Sequence, residues 1–416
     1  VNQLRLFLPC AAGVEDYLQA EAQRITGLAP QHVEKRRGGV MLQASWRDAM
    51  LLNLHSRLAQ RVLVQLSFTE YRSEQDLYRA ASEVAWEIWF TPKQSIKVEV
   101  TAQHSPLNSL NFAALKIKDA VCDRFRAKAG GVRPDVNTQW PDARIYAHLT
   151  TDSCSLYLDT SGEPLFKRGW REDKGEAPLK ETLAAAMIAA SGWADGDEAL
   201  LPLYDPCCGS GTIAIEAAQI ACNIAAGSLR RFAFEKYLPF QPHVWSAIRA
   251  EALEHEIRPT PEQCPIVYGS DVAHRMVDFA QRNAERAGVA DLIEFRGGDA
   301  LQRLPPCEGP GVMLLNPPYG ERIEVAGVAG TSGAVSGGRA GGRELPQTQG
   351  GGEFFSQLSA HWKKHYSGWT AWVLTPDLKL PSKMRLKESR RVPMWNGPIE
   401  CRLFRFDMVK GSARAP

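Results

Sequence analysis

Hydrophobic positions along the first 160 residues keep changing period. The runs LRLFLPC (4–10), GVMLQAS (39–45) and QRVLVQLSFT (60–69) alternate or concentrate apolar side chains as strands do. Between them, GVEDYLQAEAQRI (13–25) and WRDAMLLNLHSR (46–57) space apolar residues three and four apart, the helical repeat. That order predicts a small α+β sandwich over 1–70 with its helices on one face. Residues 71–162 repeat the theme. A helix (SEQDLYRAASEVAW, 73–86) leads to a strand (SIKVEVTA, 95–102), a long helix (LNFAALKIKDAVCDRFRAK, 110–128) and two strands (ARIYAHLTT and CSLYLDT).

A polar passage within 163–180 (EPLFKRGWREDKGEAPLK) reads as a linker into a larger unit spanning 181–416. There strands and helices alternate. LLPLYDP, PIVYGSD, LIEFRGGD, GVMLLN and TAWVLTPD read as strands; SGTIAIEAAQIACN, RMVDFAQRNAERAG and EFFSQLSAHWKKHY read as helices. Such alternation predicts a parallel, doubly wound α/β sheet. The closing PIECRLFRFDMV alternates with period two and is expected to pair antiparallel at the sheet edge. Residues 326–352 are glycine-rich and too poor in apolar side chains to order themselves, so a flexible surface loop is expected there, as a lid or as a tolerated insertion.

Composition narrows the class. Lys and Arg total 49 against 47 Asp and Glu, a net charge of +2 in 416 residues, which excludes a uniformly basic coat but leaves room for a local basic face. The nine cysteines form no C-x-x-C pair, so free thiols in a reducing compartment are expected. No apolar stretch reaches membrane-spanning length and the start lacks a basic leader, from which a cytoplasmic location is expected.

Candidate chemistry collects at predicted strand ends. In YDPCCGSGTIAIEAA a strand ends at Asp205-Pro206, glycines 209 and 211 form a turn, and a helix starts near Thr212. Glycine there lets backbone approach a ligand closely, and the helix start presents free N–H groups. The phosphate-loop lysine is missing, and the Asp205 carboxylate would repel phosphate, so a cationic or amine-bearing cofactor fits better. The next strand ends in Asp271, where doubly wound folds grip a ribose diol; a helix N-cap is the competing reading. Asp299 ends the third strand and is the matching candidate for an adenine amine or a neighbouring backbone group. The fourth strand breaks at Asn316-Pro317-Pro318-Tyr319. An exocyclic amine donating to the Asn316 side-chain oxygen and the Pro317 carbonyl would direct its lone pair at an electrophilic methyl, while Tyr319 offers a face for an extruded base. In isolation the same four residues read as a proline turn.

The stretches DPCCGSGTIAIEAA, GSD and LNPPYGERI resemble the motifs of class I S-adenosylmethionine-dependent methyltransferases. With FKRGWRE, APLKETLAAAM, FEKY and NGPIECRLFRF, the chain is similar over nearly its whole length to the bacterial 23S ribosomal RNA guanine-N(2)-methyltransferase RlmL family. The resemblance implies a ferredoxin-like segment (1–70), a THUMP RNA-binding domain (71–162) and a Rossmann-like methyltransferase domain with a seven-stranded sheet. It implies that Asp205, Pro206, Gly209, Gly211 and Thr212 meet the methionine part of S-adenosylmethionine, Asp271 its ribose and Asp299 its adenine. Lys180, Glu181 and Thr182 are implied to cover the cofactor, and Asn316, Pro317, Pro318 and Tyr319 to position guanine, with Asn316 also near the cofactor. Only one methyltransferase domain is matched, so only the guanine 2-amino activity is implied.

RNA contact is also readable from charge. Lys116, Arg124, Lys128 and Arg133 on and after the long helix, and Lys167, Arg168 and Arg171 beside Trp170, are phosphate candidates, as is Lys35-Arg36-Arg37; each run also reads as a solvated surface. His361 and His365 have metal-pair spacing but no third ligand, and Lys363 and Lys364 would repel a cation, so no metal is expected. Cys207 and Cys208 read as packing residues beneath the turn. The expectation is a cytoplasmic enzyme acting on 23S ribosomal RNA or a large-subunit assembly intermediate. The alternatives are the same chemistry on transfer RNA, a DNA adenine or protein glutamine methyltransferase, and a non-catalytic ribosome-assembly factor.

Overall fold

A computed structural model describes residues 3–175, 177–318 and 350–409. The chain divides into two compact units. One comprises Val1–Cys10, Leu18–Leu165 and Ala226–Glu254; the other comprises Ala11–Tyr17, Phe166–Ala225 and His255–Pro416.

In the first unit β1 (Leu4–Pro9), β2 (Val33–Arg36), β3 (Gly39–Ala44), β4 (Leu63–Glu70), β5 (Ile96–Ala102), β6 (Ala143–Leu149) and β7 (Ser153–Asp159) form one sheet in the order β2-β3-β1-β4-β7-β6-β5. Only β5 and β6 pair in parallel. The two segments read separately in the sequence are joined in this sheet by β4 and β7, from Leu63 opposite Asp159 to Glu70 opposite Ser153. Helices α1 (Glu15–Thr26), α2 (Trp46–His55), α3 (Glu74–Glu83) and α4 (Leu110–Lys128) intervene. Helix α2 starts where it does because Ser45 and Asp48 cap it reciprocally. The Ser45 Oγ accepts the Asp48 N–H at 3.1 Å and Asp48 Oδ2 accepts the Ser45 N–H at 2.9 Å.

The second unit opens with α5 (Glu181–Ser191), β8 (Leu203–Asp205) and α6 (Thr212–Ala221). The chain then returns to the first unit for 226–254, whose helix α7 (Pro242–Glu254) brings Trp245 edge-on to Phe234, ring centroids 4.9 Å apart. Back in the second unit come β9 (Val267–Asp271), α8 (His274–Arg286), β10 (Ile293–Gly297) and β11 (Val312–Leu315). Beyond them lie a helix (Gly350–His365), β12 (Thr370–Thr375), a short helix (Leu380–Met384), β13 (Arg390–Asn396) and β14 (Ile399–Asp407). The sheet order is β10-β9-β8-β11-β12-β14-β13, parallel as far as β12.

Strand β14 is not the edge expected from its alternation. It pairs antiparallel with β12 on one side and β13 on the other. Cys401, Leu403, Phe404 and Phe406 are all fully buried, so both faces are covered and an interior position follows. Trp362, Tyr366 and Trp369 pack with Tyr204, Phe404 and Phe406 in the core of this unit, each such burial contributing roughly 1.5–3 kcal/mol. Chain order reverses between β8 and β11, and the C-terminal edge there is where open α/β sheets bind ligands.

Candidate active site

Asp205 ends β8 only 2% exposed. One carboxylate oxygen, Oδ1, accepts the Cys207 N–H at 3.0 Å, and among the described residues no cation is paired with it. Burial, with some help from Asp271, pushes its carboxyl up to about 8, against the pull of that one N–H. A buried acid held this far from its ordinary range is stabilised by a cation brought in from outside.

The turn that follows is built by glycine. Gly209 and Gly211 have φ of 52° and 91°, conformations that L side chains rarely adopt. A Cβ on Gly211 would also lie 3.0 Å from Ala280 Cβ and 3.2 Å from the Phe295 ring. Asp271 at the end of β9 fastens this turn, its Oδ2 accepting the Gly209 N–H at 3.0 Å. Its Oδ1 accepts the Ala273 N–H at 2.9 Å two residues on, but Ala273 is itself the N-cap of α8 and no side chain caps that helix, so Asp271 fastens the turn and is not the N-cap. Burial raises this carboxyl as well, although both N–H groups pull it back. Each oxygen keeps a second lone pair for a ligand hydroxyl. Asp299 follows β10, its Oδ1 accepting the Leu301 N–H at 2.9 Å. Cys207 feels the charges of Asp205, Asp271 and Asp299 together, which places the three predicted acids around one spot. Burial raises both the Cys207 and Cys208 thiols, so neither is a ready nucleophile.

Asn316 immediately follows β11, which lies beside β8 in parallel register (Met313 opposite Tyr204). Its side-chain oxygen is buried and accepts no hydrogen bond among the described residues. Leaving such an acceptor unmet costs roughly 1–3 kcal/mol, so the site is short of an N–H donor at this point. Pro317 is buried and Pro318 half-buried beside it. Tyr319 lies outside the described residues, as does most of the glycine-rich run.

The passage read as a linker is packed from Phe166 onward into the second unit. Arg168, expected to contact RNA, is instead 2% exposed and donates twice to Glu216 Oε1 in α6, at 2.6 and 3.1 Å. Trp170, beside these basic candidates, is fully buried and so has no face open to a base. Arg171 spans the site's supports. It donates to Glu181 Oε1 and to Ser210 Oγ, at 2.6 and 2.5 Å, and to Thr212 Oγ1. Asp173 then binds Arg282 and Arg286 of α8, which hold its carboxyl at about 2. This strap joins α5, the glycine turn, α6 and α8. Sequence reasoning missed it because the pairing partners lie up to 116 residues away. Glu181 and Thr212 therefore serve the strap first. Lys180 precedes α5 with its ammonium 5.2 Å from the Phe166 ring centroid, and Thr182 is buried in the first turn.

Of the other basic candidates, Arg124 is corrected too. It is forked onto Glu87, Nη2 to Oε1 at 2.7 Å, with Nη1 donating to the Ser82 carbonyl, so it ties α4 to the neighbouring turn. Lys116 lies over the Phe112 ring at 5.5 Å, while Lys128, Arg133 and Lys167 are exposed. Arg36 pairs with Glu34 at 3.0 Å on β2, a strand absent from the sequence reading. His361 directs Nε2 to the Arg303 carbonyl at 2.6 Å, and among the described residues no group of His, Cys, Asp and Glu could hold a metal ion. No described helix is long and apolar enough to cross a membrane.

Comparison with known proteins covers most of the chain. Residues 5–63 match the RlmL ferredoxin-like domain, 71–159 the THUMP domain and 168–330 the RMKL-like methyltransferase domain family. A protein of Psychromonas ingrahamii named ribosomal RNA large subunit methyltransferase K/L is 37% identical over 400 residues, covering 96% of this chain and 49% of that protein. A Shewanella amazonensis protein of the same name is 37% identical over 393 residues, 94% of this chain and 52% of that protein. This chain thus spans about half the length of the curated relatives it matches. A crystal structure named as a methyltransferase complexed with SAH superposes with a TM-score of 0.82 at 25% identity, covering 99% of this chain and 100% of that one.

Proposed function

The chain carries an RlmL ferredoxin-like domain, a THUMP domain and an RMKL-like methyltransferase domain in that order, and from that premise we propose that it methylates the exocyclic 2-amino group of a guanosine in 23S ribosomal RNA, using S-adenosylmethionine. One observation carries the chemistry: the buried Asn316 oxygen just after β11, unmet among the described residues, on the sheet edge that also holds a buried carboxylate with no cation among those residues. The names of the relatives and the THUMP domain support RNA as the acceptor.

The residues present fit the cofactor. Asp205 offers its carboxylate to an ammonium, Asp271 keeps lone pairs for a ribose diol, and Gly211 leaves open the space a Cβ would fill. When bound, S-adenosylmethionine supplies an electrophilic methyl on a cationic sulfur. Asn316 Oδ1 and the Pro317 carbonyl accept the two N–H bonds of the guanine amine, turning its lone pair outward from the ring plane. Pro317 and Pro318, each fixed in φ, stiffen those acceptors. Tyr319, next in sequence, supplies the face on which the extruded base stacks. The lone pair would form the new N–C bond as the methyl–sulfur bond breaks and S-adenosylhomocysteine departs as the neutral thioether, and the amine proton would be lost to solvent once the nitrogen becomes cationic. Orientation of a weak nucleophile supplies much of the acceleration, and no strong base is required.

Two measurements test this. Mass mapping of 23S ribosomal RNA and transfer RNA from cells with and without the gene should show loss of one 2-methylguanosine from 23S RNA. Loss from transfer RNA alone would move the activity to that substrate. Asn316→Ala should lower kcat by about 100-fold or more, the scale of removing one preorganised partner from a reacting group, while SAH still binds by calorimetry. Turnover near that of the parent would remove Asn316 from the mechanism.

A further inference from the structure

The sheet of the first unit has two unlike faces. Side chains alternate along each strand, so Leu6, Leu8, Val64, Ile145, Ala147, Leu156 and Leu158 share one side, every one of them 1% exposed or less. The opposite side carries polar and aromatic residues in rows that the register defines. Glu99, Tyr146, Tyr157 and Gln65 are successive partners across β5, β6, β7 and β4; Thr101, His148, Ser155 and Phe68 form the next row. Partners opposite one another in register project from the same face.

We infer that this face is a stacking surface for single-stranded stretches of the RNA substrate, an inference that rests on the RNA-methyltransferase reading. Three observations carry it. Phe68 is 65% exposed in the middle of the sheet, where a folded protein gains nothing from a bare phenyl ring. Tyr146 is half-buried with the Arg61 guanidinium 5.3 Å from its ring centroid, and Tyr157 beside it meets Phe7 at 5.9 Å, so the rings are held in place before any ligand arrives. The charge balance favours an anion. Of the acids on this surface, Glu99 is committed to Lys97 and Asp159 to Arg61, both at 2.7 Å, which leaves exposed Glu70, opposite Ser153 at the end of β4, set against two arginines. Arg144, on the same side of β6 as Tyr146, has a buried Nε with no partner, and neither it nor exposed Arg5 forms an ion pair among the described residues.

Aromatic faces bind bases only when the bases are unstacked, and unpaired guanidinium groups beside them take the phosphates between. A duplex hides its base faces. The structure therefore selects a single strand over a duplex. Helix α4, the first basic candidate, is less suited, because Arg124 is spent on Glu87.

The test uses the full chain with SAH present and a fluorescein-labelled 12-nucleotide single-stranded RNA, read by anisotropy at several salt concentrations. The paired variant Phe68→Ser/Tyr146→Leu should weaken binding about tenfold or more, since each base stacked on a ring is worth a several-fold change in affinity. Phe68→Ser alone, at a position too exposed to unfold the sheet, should weaken it about fivefold. Arg144→Gln should reduce the slope of log affinity against log salt by about 0.7, one released counterion on a single strand. SAH affinity should be unchanged in all three. Unaltered RNA binding in Phe68→Ser and in the paired variant overturns the inference, as does equal affinity of the parent for the same sequence as a duplex. Failure of the parent to bind SAH would instead strike the methyltransferase reading, which these RNA measurements do not touch.

Discussion

Replacing Asp205 by Asn separates what this carboxylate does for the fold from what it does for the ligand. Its carboxyl stands at about 8 against an ordinary 3.8. At about 1.36 kcal/mol per unit, ionising it inside the protein costs roughly 5–6 kcal/mol more than ionising it in the unfolded chain. The sign follows from proton counting. Between about pH 4 and 8 the folded protein binds more protons at this group than the unfolded one, so stability falls as pH rises through that window. Asp205→Asn removes this liability, and its Tm at pH 8 should exceed that of the parent, by the equivalent of a few kcal/mol once the cost of burying an amide is subtracted. Cofactor binding should move the other way. The ligand's ammonium demands the ionised carboxylate, so affinity for S-adenosylmethionine should rise about tenfold per pH unit from 6 toward 8. Above 8 it should fall again as the ligand's own amine, ordinarily near 8, loses its proton. Calorimetric titrations from pH 6 to 9 read both limbs, and in Asp205→Asn the steep acid limb should flatten while affinity at pH 8 drops. Asp271, also raised by burial, will leave a shallower residual slope. A variant that keeps the parent's acid limb, or binds as tightly at pH 8, would refute the role assigned to Asp205.

Two further perturbations probe the supports of the site. Glu216→Ala removes the carboxylate paired with the buried Arg168 guanidinium and should cost about 3–5 kcal/mol in denaturant unfolding, whereas the double replacement Arg168→Met/Glu216→Leu should recover most of it, because both buried charges then go. A loss in the double variant as large as in the single would mean that the pair is not the source. Gly211→Ala meets a φ of 91° and the 3.0 Å approach of Ala280, so it should cost about 1–2 kcal/mol or more in stability and weaken SAH binding together; a neutral outcome would show that the turn relaxes freely.

Much of the second unit could be read from residue order. A period-two run ending in an acid, then a glycine turn, then a period-3.6 run is local information, and β8, β9, β10 and β11 with their acids stand where those runs put them. Asn316 was legible for the same reason, since two prolines after an apolar strand leave the residue before them at the sheet edge. Basic residues were read less well. Lys, Arg and Glu look alike in a sequence whether they face water or each other, and Arg168, Arg124 and Arg171 found carboxylates 48, 37 and 10 residues away. The 226–254 segment likewise gave no sign that it rejoins the first unit, because its aromatic residues would be buried equally well in either.

Periodicity, turn chemistry and motif spacing by themselves determined the α/β alternation, the glycine turn after Asp205 and the place of Asn316 just beyond an apolar strand, all of which depend on neighbours within a few residues. Only the tertiary structure decided which charges are consumed as struts, that among the described residues Asp205 is buried without a cation and Asn316 Oδ1 lacks a donor, and that one sheet face of the first unit stays polar and aromatic. Those properties are set by desolvation and by partners distant in sequence. Neither is written in any local stretch of the chain.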